Sequence, residues 1–124
     1  MKNWGGNVEF AGEIARPTSV DELAELVAAS DIVRPIGTTH SFAPVNDAPG
    51  AVLVSTSGLG GEVEWEGDSV WVPSGTRYGD AVPALVERGR ALGNMGSLPH
   101  ISVGGAVAAG THGSGDAHRV LAAS

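Results

Sequence analysis

Residues 97–115 read SLPHISVGGAVAAGTHGSG. Gly104, Gly105, Gly110, Gly113 and Gly115 stand among Ala106, Ala108 and Ala109, with hydroxyls on Ser97, Ser102, Thr111 and Ser114 and imidazoles on His100 and His112. The stretch is too polar and too small-sided for a core element. Side chains this short let a backbone approach another body closely. A backbone that shows its N–H groups beside hydroxyls suits an anionic or heteroaromatic ligand. Residues 35–42, PIGTTHSF, are a second stretch of this kind, with His40 near its end. The two read as halves of a cofactor cradle. The plainer alternatives stay open. Gly37–Phe42 also reads as a surface turn with a solvated histidine, and Gly104–Gly110 as close packing of one backbone on another.

The rest of the chain supplies the elements that carry these stretches. Asn3–Asn7 is a turn-rich lead-in and Val8–Ala15 a short strand, broken by Arg16–Ser19. Ser19 followed by Glu22 forms a capping box, and Leu23, Leu26 and Val27 fall on one face, which predicts an amphipathic helix over residues 20–30. Ile32–Ile36 is a short apolar strand. Strand, helix and strand in so short a span make a βαβ unit with parallel strands. The loop carrying His40 then lies at a strand's carboxyl end, where open α/β sheets bind ligands. Ala51–Ser55 is a third strand, and Gly58–Gly61 turns. Glu62–Glu66 and Ser69–Pro73 alternate around Gly67-Asp68 and read as a hairpin, with Val63, Trp65, Val70 and Val72 as its apolar positions. A helix follows from about Arg77 to Arg88, with Gly89 as its C′ residue. Pro83 either kinks it or moves its start to about Asp80. Ser102 caps a short helix over Val103–Ala109 that Gly110 ends, which aims the N–H groups of Gly104 and Gly105 at the ligand. Trp65 and Trp71 read as packing residues and Trp4 as covering a core edge.

Composition narrows the partners. Fourteen acids against seven bases give a formal charge of −7 over 124 residues. Nucleic acid and anionic membrane, which need clustered Lys and Arg, are disfavoured. Glycine, at 19 of the 124 residues, is roughly twice its usual share of about 7% and clusters in loops rather than every third position. No cysteine is present, so a disulfide framework and thiolate metal sites are excluded. Nothing near Met1 resembles a signal peptide and no apolar run approaches the ~20 residues of a membrane span, so the expected location is cytoplasmic. Val120–Ser124 is apolar and uncapped, as though the chain stopped inside a larger domain.

Other chemistries fit less well. His112, Asp116 and His118 could ligate a metal, but their glycine neighbours give no rigid scaffold, and the expectation is no metal. Ser97, His100 and Asp80 could be imagined as a hydrolase set. Thr111–Gly115 comes near a nucleophile elbow but lacks the strand before it and the helix after it. The glycine-rich segment is neither a Walker loop nor a dinucleotide fingerprint.

The segments Pro35–Phe42 and Asn94–Gly115, with Asn3–Asn7, Arg16–Ser19 and Arg77-Tyr78, resemble the FAD-binding (PCMH-type) domain of the vanillyl-alcohol-oxidase superfamily. Within it the chain looks most like alditol (xylitol/sorbitol) oxidases and the sugar-1,4-lactone oxidases. The resemblance implies an α+β fold, truncated here: a small βαβ subdomain (residues 1–58) and the start of a second with antiparallel strands (59–124), FAD lying extended between them. It implies a loop, Pro35, Ile36, Gly37, Thr38, Thr39, His40 and Ser41, that wraps the pyrophosphate. His40 matches the histidine bonded covalently to the flavin 8α-methyl group. Gly96, Ser102, Gly105, Ala106, Val107, Ala108, Ala109 and His112 are the further cofactor-binding residues, and Ser97 matches a serine that hydrogen-bonds the polyol. The implied activity is oxidation of a CH–OH group of a polyol or sugar lactone, hydride passing to the flavin and dioxygen serving as acceptor to give hydrogen peroxide. Such relatives are much longer and keep their proton acceptor in a C-terminal substrate domain absent here. The isolated chain is therefore expected to be inactive, with no catalytic residue of its own. A stand-alone flavin- or nucleotide-binding module and a non-functional remnant are the competing readings. One departure stands out: relatives typically carry Gly at the position of Thr39, and if that position requires positive φ, a β-branched residue fits it poorly.

Overall fold

A computed structural model describes residues 1–123; Ser124, the end of the apolar Val120–Ser124 stretch, lies outside the described residues. The chain forms two compact units, Met1–Gly60 and Gly61–Ser124.

The first unit is built on a parallel sheet of β1 (Ile14–Ala15), β2 (Val33–Ile36) and β3 (Val52–Ser55), with α1 (Val20–Ala29) connecting β1 to β2. The sheet order is β1-β3-β2. The two strands of the βαβ unit are parallel as expected, but β3 lies between them and pairs with both. As the central strand β3 is the most buried of the three, and its Leu53 is fully buried. Pro35 lies in β2, opposite Val54. It is tolerated because β2 is an edge strand, where a missing N–H breaks no ladder on the open side. The strand predicted over Val8–Ala15 shrinks to its last two residues. Val8 and Phe10 still enter the core, with Ile36 and Leu53, but the backbone there turns back on the N-terminus. Phe10 N–H donates to the Met1 carbonyl at 2.7 Å, and Lys2 bridges Glu9.

Ser19 caps α1 by accepting from the Glu22 N–H at 3.1 Å. Glu22 reaches back one residue further than the capping-box reading placed it, accepting from the Thr18 N–H at 2.7 Å and the Thr18 hydroxyl at 2.9 Å. These bonds, the backbone one foremost, hold its carboxyl below the ordinary carboxylate range. The apolar stripe of α1 is only partly covered: Leu23 and Leu26 are half-buried, whereas Val27 is 49% exposed.

In the second unit β4 (Glu64–Glu66) and β5 (Ser69–Trp71) form the expected hairpin, turning at Gly67 with φ +60°. Trp65 pairs with Val70 and is half-buried, with the Arg88 guanidinium 4.5 Å from its ring centroid. Trp71 does not pack as expected. It falls on the opposite phase of the strand, is 66% exposed, and donates its indole N–H to Glu66 at 2.9 Å.

Helix α2 (Tyr78–Glu87) starts near the predicted Arg77 and runs through Pro83, so the later start at Asp80 does not occur. Tyr78, Ala81 and Leu85 make its buried stripe, and burial pushes the Tyr78 hydroxyl's pKa up. Gly89, at φ +65°, closes α2 as the C′ residue. Its N–H bonds the Val86 carbonyl while that of Arg90 bonds Leu85, the paired pattern of a Schellman motif. Helix α3 (Val103–Ala108) ends the same way, Gly110 and Thr111 donating to Val107 and Ala106. Tyr78, Ala106 and Leu121 form the core here, with Ile101 and Val103 against it. No helix among the described residues is long and apolar enough to cross a membrane.

Candidate functional site

The geometry of the first unit centres on His40. Strand β2 ends at the buried Ile36, and the chain leaves its carboxyl end through Gly37. Thr39 then takes φ +55°, the sole non-glycine residue in the left-handed region among the described residues. That region crowds a Cβ and penalises β-branched residues most. The reversal delivers a half-buried His40 whose Nδ1 lies 3.0 Å from the Thr38 hydroxyl. The position that relatives were expected to fill with Gly is thus one that does require positive φ.

The N-terminal lead-in fastens this loop from the other side. Trp4 N–H donates to the Thr39 carbonyl at 2.9 Å. The buried Asn3 donates through Nδ2 to the Ser41 carbonyl at 2.9 Å and to Asn7 at 2.8 Å, and its Oδ1 accepts from Val8 N–H at 3.1 Å. Asn7 donates to the Phe42 carbonyl at 2.9 Å. The Trp4 indole stacks on the His40 imidazole with centroids 5.3 Å apart and planes 23° from parallel, and meets Phe42 edge-on. Trp4 therefore does not cover a core edge, as the sequence suggested; it is 61% exposed and lies on the histidine. Reading from sequence missed Asn3 and Asn7 as loop anchors. The signal available was two asparagines bracketing Gly5-Gly6, which says "turn" but not "turn bound to residues 39–42".

In the second unit the glycine-rich stretch opens on a buried Gly96 and an exposed Ser97. Ser102 is buried at the N-cap position of α3, but its side chain makes no capping hydrogen bond, contrary to expectation. A second expectation also fails. Gly104 N–H is not presented to a ligand: it donates to the Ser74 carbonyl at 2.9 Å. A Cβ on Gly104 would sit 2.9 Å from that of Ser74, so here the close-packing alternative is the correct one. Ala106 turns its methyl into the core with Tyr78 and Leu121. Gly105, Val107, Ala108 and Ala109 are exposed, as is His112, whose Nδ1 is 2.8 Å from the Gly113 carbonyl. Asn94 braces the end of the stretch, accepting from Gly113 N–H at 2.9 Å and donating to the Arg119 carbonyl at 2.7 Å. Among the described residues no three His, Asp or Glu side chains converge to hold a metal.

The donor set suits a diphosphate. All 14 acids of this −7 chain lie outside residues 35–42 and 96–115. Both stretches offer hydroxyls, imidazoles and backbone N–H groups with no carboxylate to repel an anion.

A family model described as an FAD binding domain matches residues 12–121. The chain belongs to that family. An alditol oxidase from Streptomyces sp. (strain IKD472 / FERM P-14339) is 43% identical over 99% of this chain and 31% of its own length. An L-gulono-1,4-lactone dehydrogenase from Mycobacterium tuberculosis (strain CDC 1551 / Oshkosh) is 34% identical over 91% of the chain and 28% of its own. A cholesterol oxidase structure from B. sterolicum superposes with a TM-score of 0.78 at 22% identity, over 91% of this chain and 24% of that one. That likeness confirms the α+β FAD-binding fold. This FAD-binding domain spans under a third of the curated relatives' length.

Proposed function

We propose that this FAD-binding domain holds its cofactor through His40 and serves an oxidoreductase acting on the CH–OH group of a polyol or sugar lactone. The chemistry that bound FAD supplies is acceptance of a hydride from that carbon and transfer of the electrons to dioxygen, giving hydrogen peroxide. The loop Pro35–Ser41 binds the diphosphate through its backbone and hydroxyls. Gly96, Ser102, the exposed run around α3 from Gly105 to Ala109, and His112 supply the second unit's cofactor contacts. Ser97, exposed at the start of its stretch, hydrogen-bonds the polyol. The reading sets this chemistry in the cytoplasm.

The observation that carries the reading is the placement of His40. A strained reversal at the carboxyl end of β2 delivers its imidazole, half-buried, into a loop tied down on both sides of it. With FAD bound, a ring nitrogen of His40, relieved of its N–H proton, would be the group that holds the flavin covalently, and the two-electron oxidation which that linkage requires would draw on dioxygen as terminal acceptor. The test is the absorption spectrum of purified, flavin-loaded chain before and after acid precipitation. Yellow colour and in-gel fluorescence should stay with the denatured protein, and His40→Ala should release both to the supernatant. Flavin that washes out of the unsubstituted chain refutes covalent attachment.

A further inference from the structure

We propose that Trp4 is a positioning residue for His40, fixing the plane of its imidazole. The attachment arm of the test below rests on the reading of His40 as the site of flavin attachment. An imidazole on a surface loop turns broadly about its second side-chain torsion. Here two contacts remove that freedom. The Thr38 hydroxyl, 3.0 Å from Nδ1, sets one edge of the ring. The indole, 23° from parallel at 5.3 Å, sets its face. Offset-stacked aromatic pairs hold their geometry through quadrupole complementarity as well as dispersion.

The way Trp4 is held argues that this contact serves the histidine. Trp4 is 61% exposed and stands outside the cluster of Val8, Phe10, Ile36 and Leu53. It is brought to His40 by its own backbone, through the bond from Trp4 N–H to the Thr39 carbonyl. Asn3 and Asn7 clasp the carbonyls of Ser41 and Phe42. The main chain is therefore held just before His40 and just after it. The ring between those clamps meets the Thr38 hydroxyl at its edge and the indole of the N-terminal turn on its face. Because the indole adds little to the core, replacing it should leave the fold standing while loosening the imidazole.

Trp4→Leu removes the aromatic face and Trp4→Phe keeps one, so the pair separates stacking from bulk. In histidine-labelled chain, the His40 ring protons should resonate upfield of their position in Trp4→Leu, with Trp4→Phe close to the unsubstituted chain. On adding FAD to apoprotein, covalent flavin should appear three- to tenfold more slowly in Trp4→Leu and near the original rate in Trp4→Phe. The affinity for reversibly bound FAD, measured in a His40→Ala background, should not change. Equal slowing in both variants, or none in Trp4→Leu, overturns the proposal. Should the unsubstituted chain take up no covalent flavin, it is the attachment reading that falls. The ring-proton shifts then decide: a displacement that depends on Trp4 supports positioning, and its absence refutes it.

Discussion

Thr39→Gly should make this protein more stable, an unusual direction for a substitution that deletes a side chain. Thr39 is held at φ +55°, where an L-residue with a Cβ loses roughly 1–2 kcal/mol relative to the right-handed region and a β-branched one sits at the upper end. Glycine removes that term. It restores freedom to the unfolded chain, which opposes folding by about 0.5–1 kcal/mol. The bond that ties this residue to Trp4 runs through the Thr39 carbonyl, so it survives the change. The net expectation is a gain of about 1–1.5 kcal/mol. For a unit of this size that is a rise in unfolding midpoint of roughly 4–12 °C. Thr39→Ala keeps a Cβ in the same region and should recover only the β-branching part, so its midpoint should fall between the two. Urea titration of the three chains, followed by far-ultraviolet circular dichroism, gives the free energies. If Thr39→Gly is neutral or destabilising while Thr39→Ala matches the parent, the left-handed backbone carries no strain and the argument fails.

The other expectations are narrower. Gly104→Ala drives a methyl against Ser74; overpacking of about 1–3 kcal/mol should outweigh the gain of up to about 1 kcal/mol in helix propensity, and a chain with unchanged denaturant midpoint would show that Ser74 gives way freely. Glu22 has its pKa lowered in the fold, so its contribution to stability is present above the unfolded value and is lost as pH falls through the folded one. The acid limb of a stability–pH curve should therefore flatten in Glu22→Gln, and an identical limb in both chains would remove Glu22 from it. His40→Ala and the Trp4 pair, tested as above, probe attachment and positioning separately.

Much of the fold could be read from local signals. The cap at Ser19, the hairpin around Gly67-Asp68, and the left-handed glycines at 89 and 110 each depend on residues within a few positions of one another. Long-range choices could not be read that way. Nothing in Ala51–Ser55 says that it inserts between β1 and β2, because its apolar run would suit a centre or a neighbour equally. Val8 and Phe10 keep the alternation of a strand and are buried, but the pairing they find is with the N-terminus. Trp71 was misread although its phase was available: next to Val70, which pairs with Trp65, and itself opposite Glu64, it had to face the other side of the hairpin. Thr39 was legible only through the departure from Gly in the resembling family, because threonine itself is a poor sign of positive φ.

The glycine-rich stretch shows why composition could bring the site into view without resolving it. Small residues permit close approach, but approach to what is set by the fold. Gly104 is small because Ser74 is there, and its N–H is spent on the Ser74 carbonyl. Gly110 is a glycine because α3 must end in the left-handed region. One residue further along the helix than Gly104, Gly105 is exposed. The same signal in sequence thus covers a packing role, a capping role and a surface left open to a ligand. Under the proposed function only the last bears on the cofactor, and it is there that a bulky substitution should weaken flavin binding without unfolding the chain. Gly105→Val should therefore raise the dissociation constant for FAD in a His40→Ala background without lowering the unfolding midpoint, because valine is a better helix former than the glycine it replaces. Loss of fold in that variant, with affinity intact in whatever remains folded, would assign Gly105 to packing as well and take it out of the proposed cofactor surface.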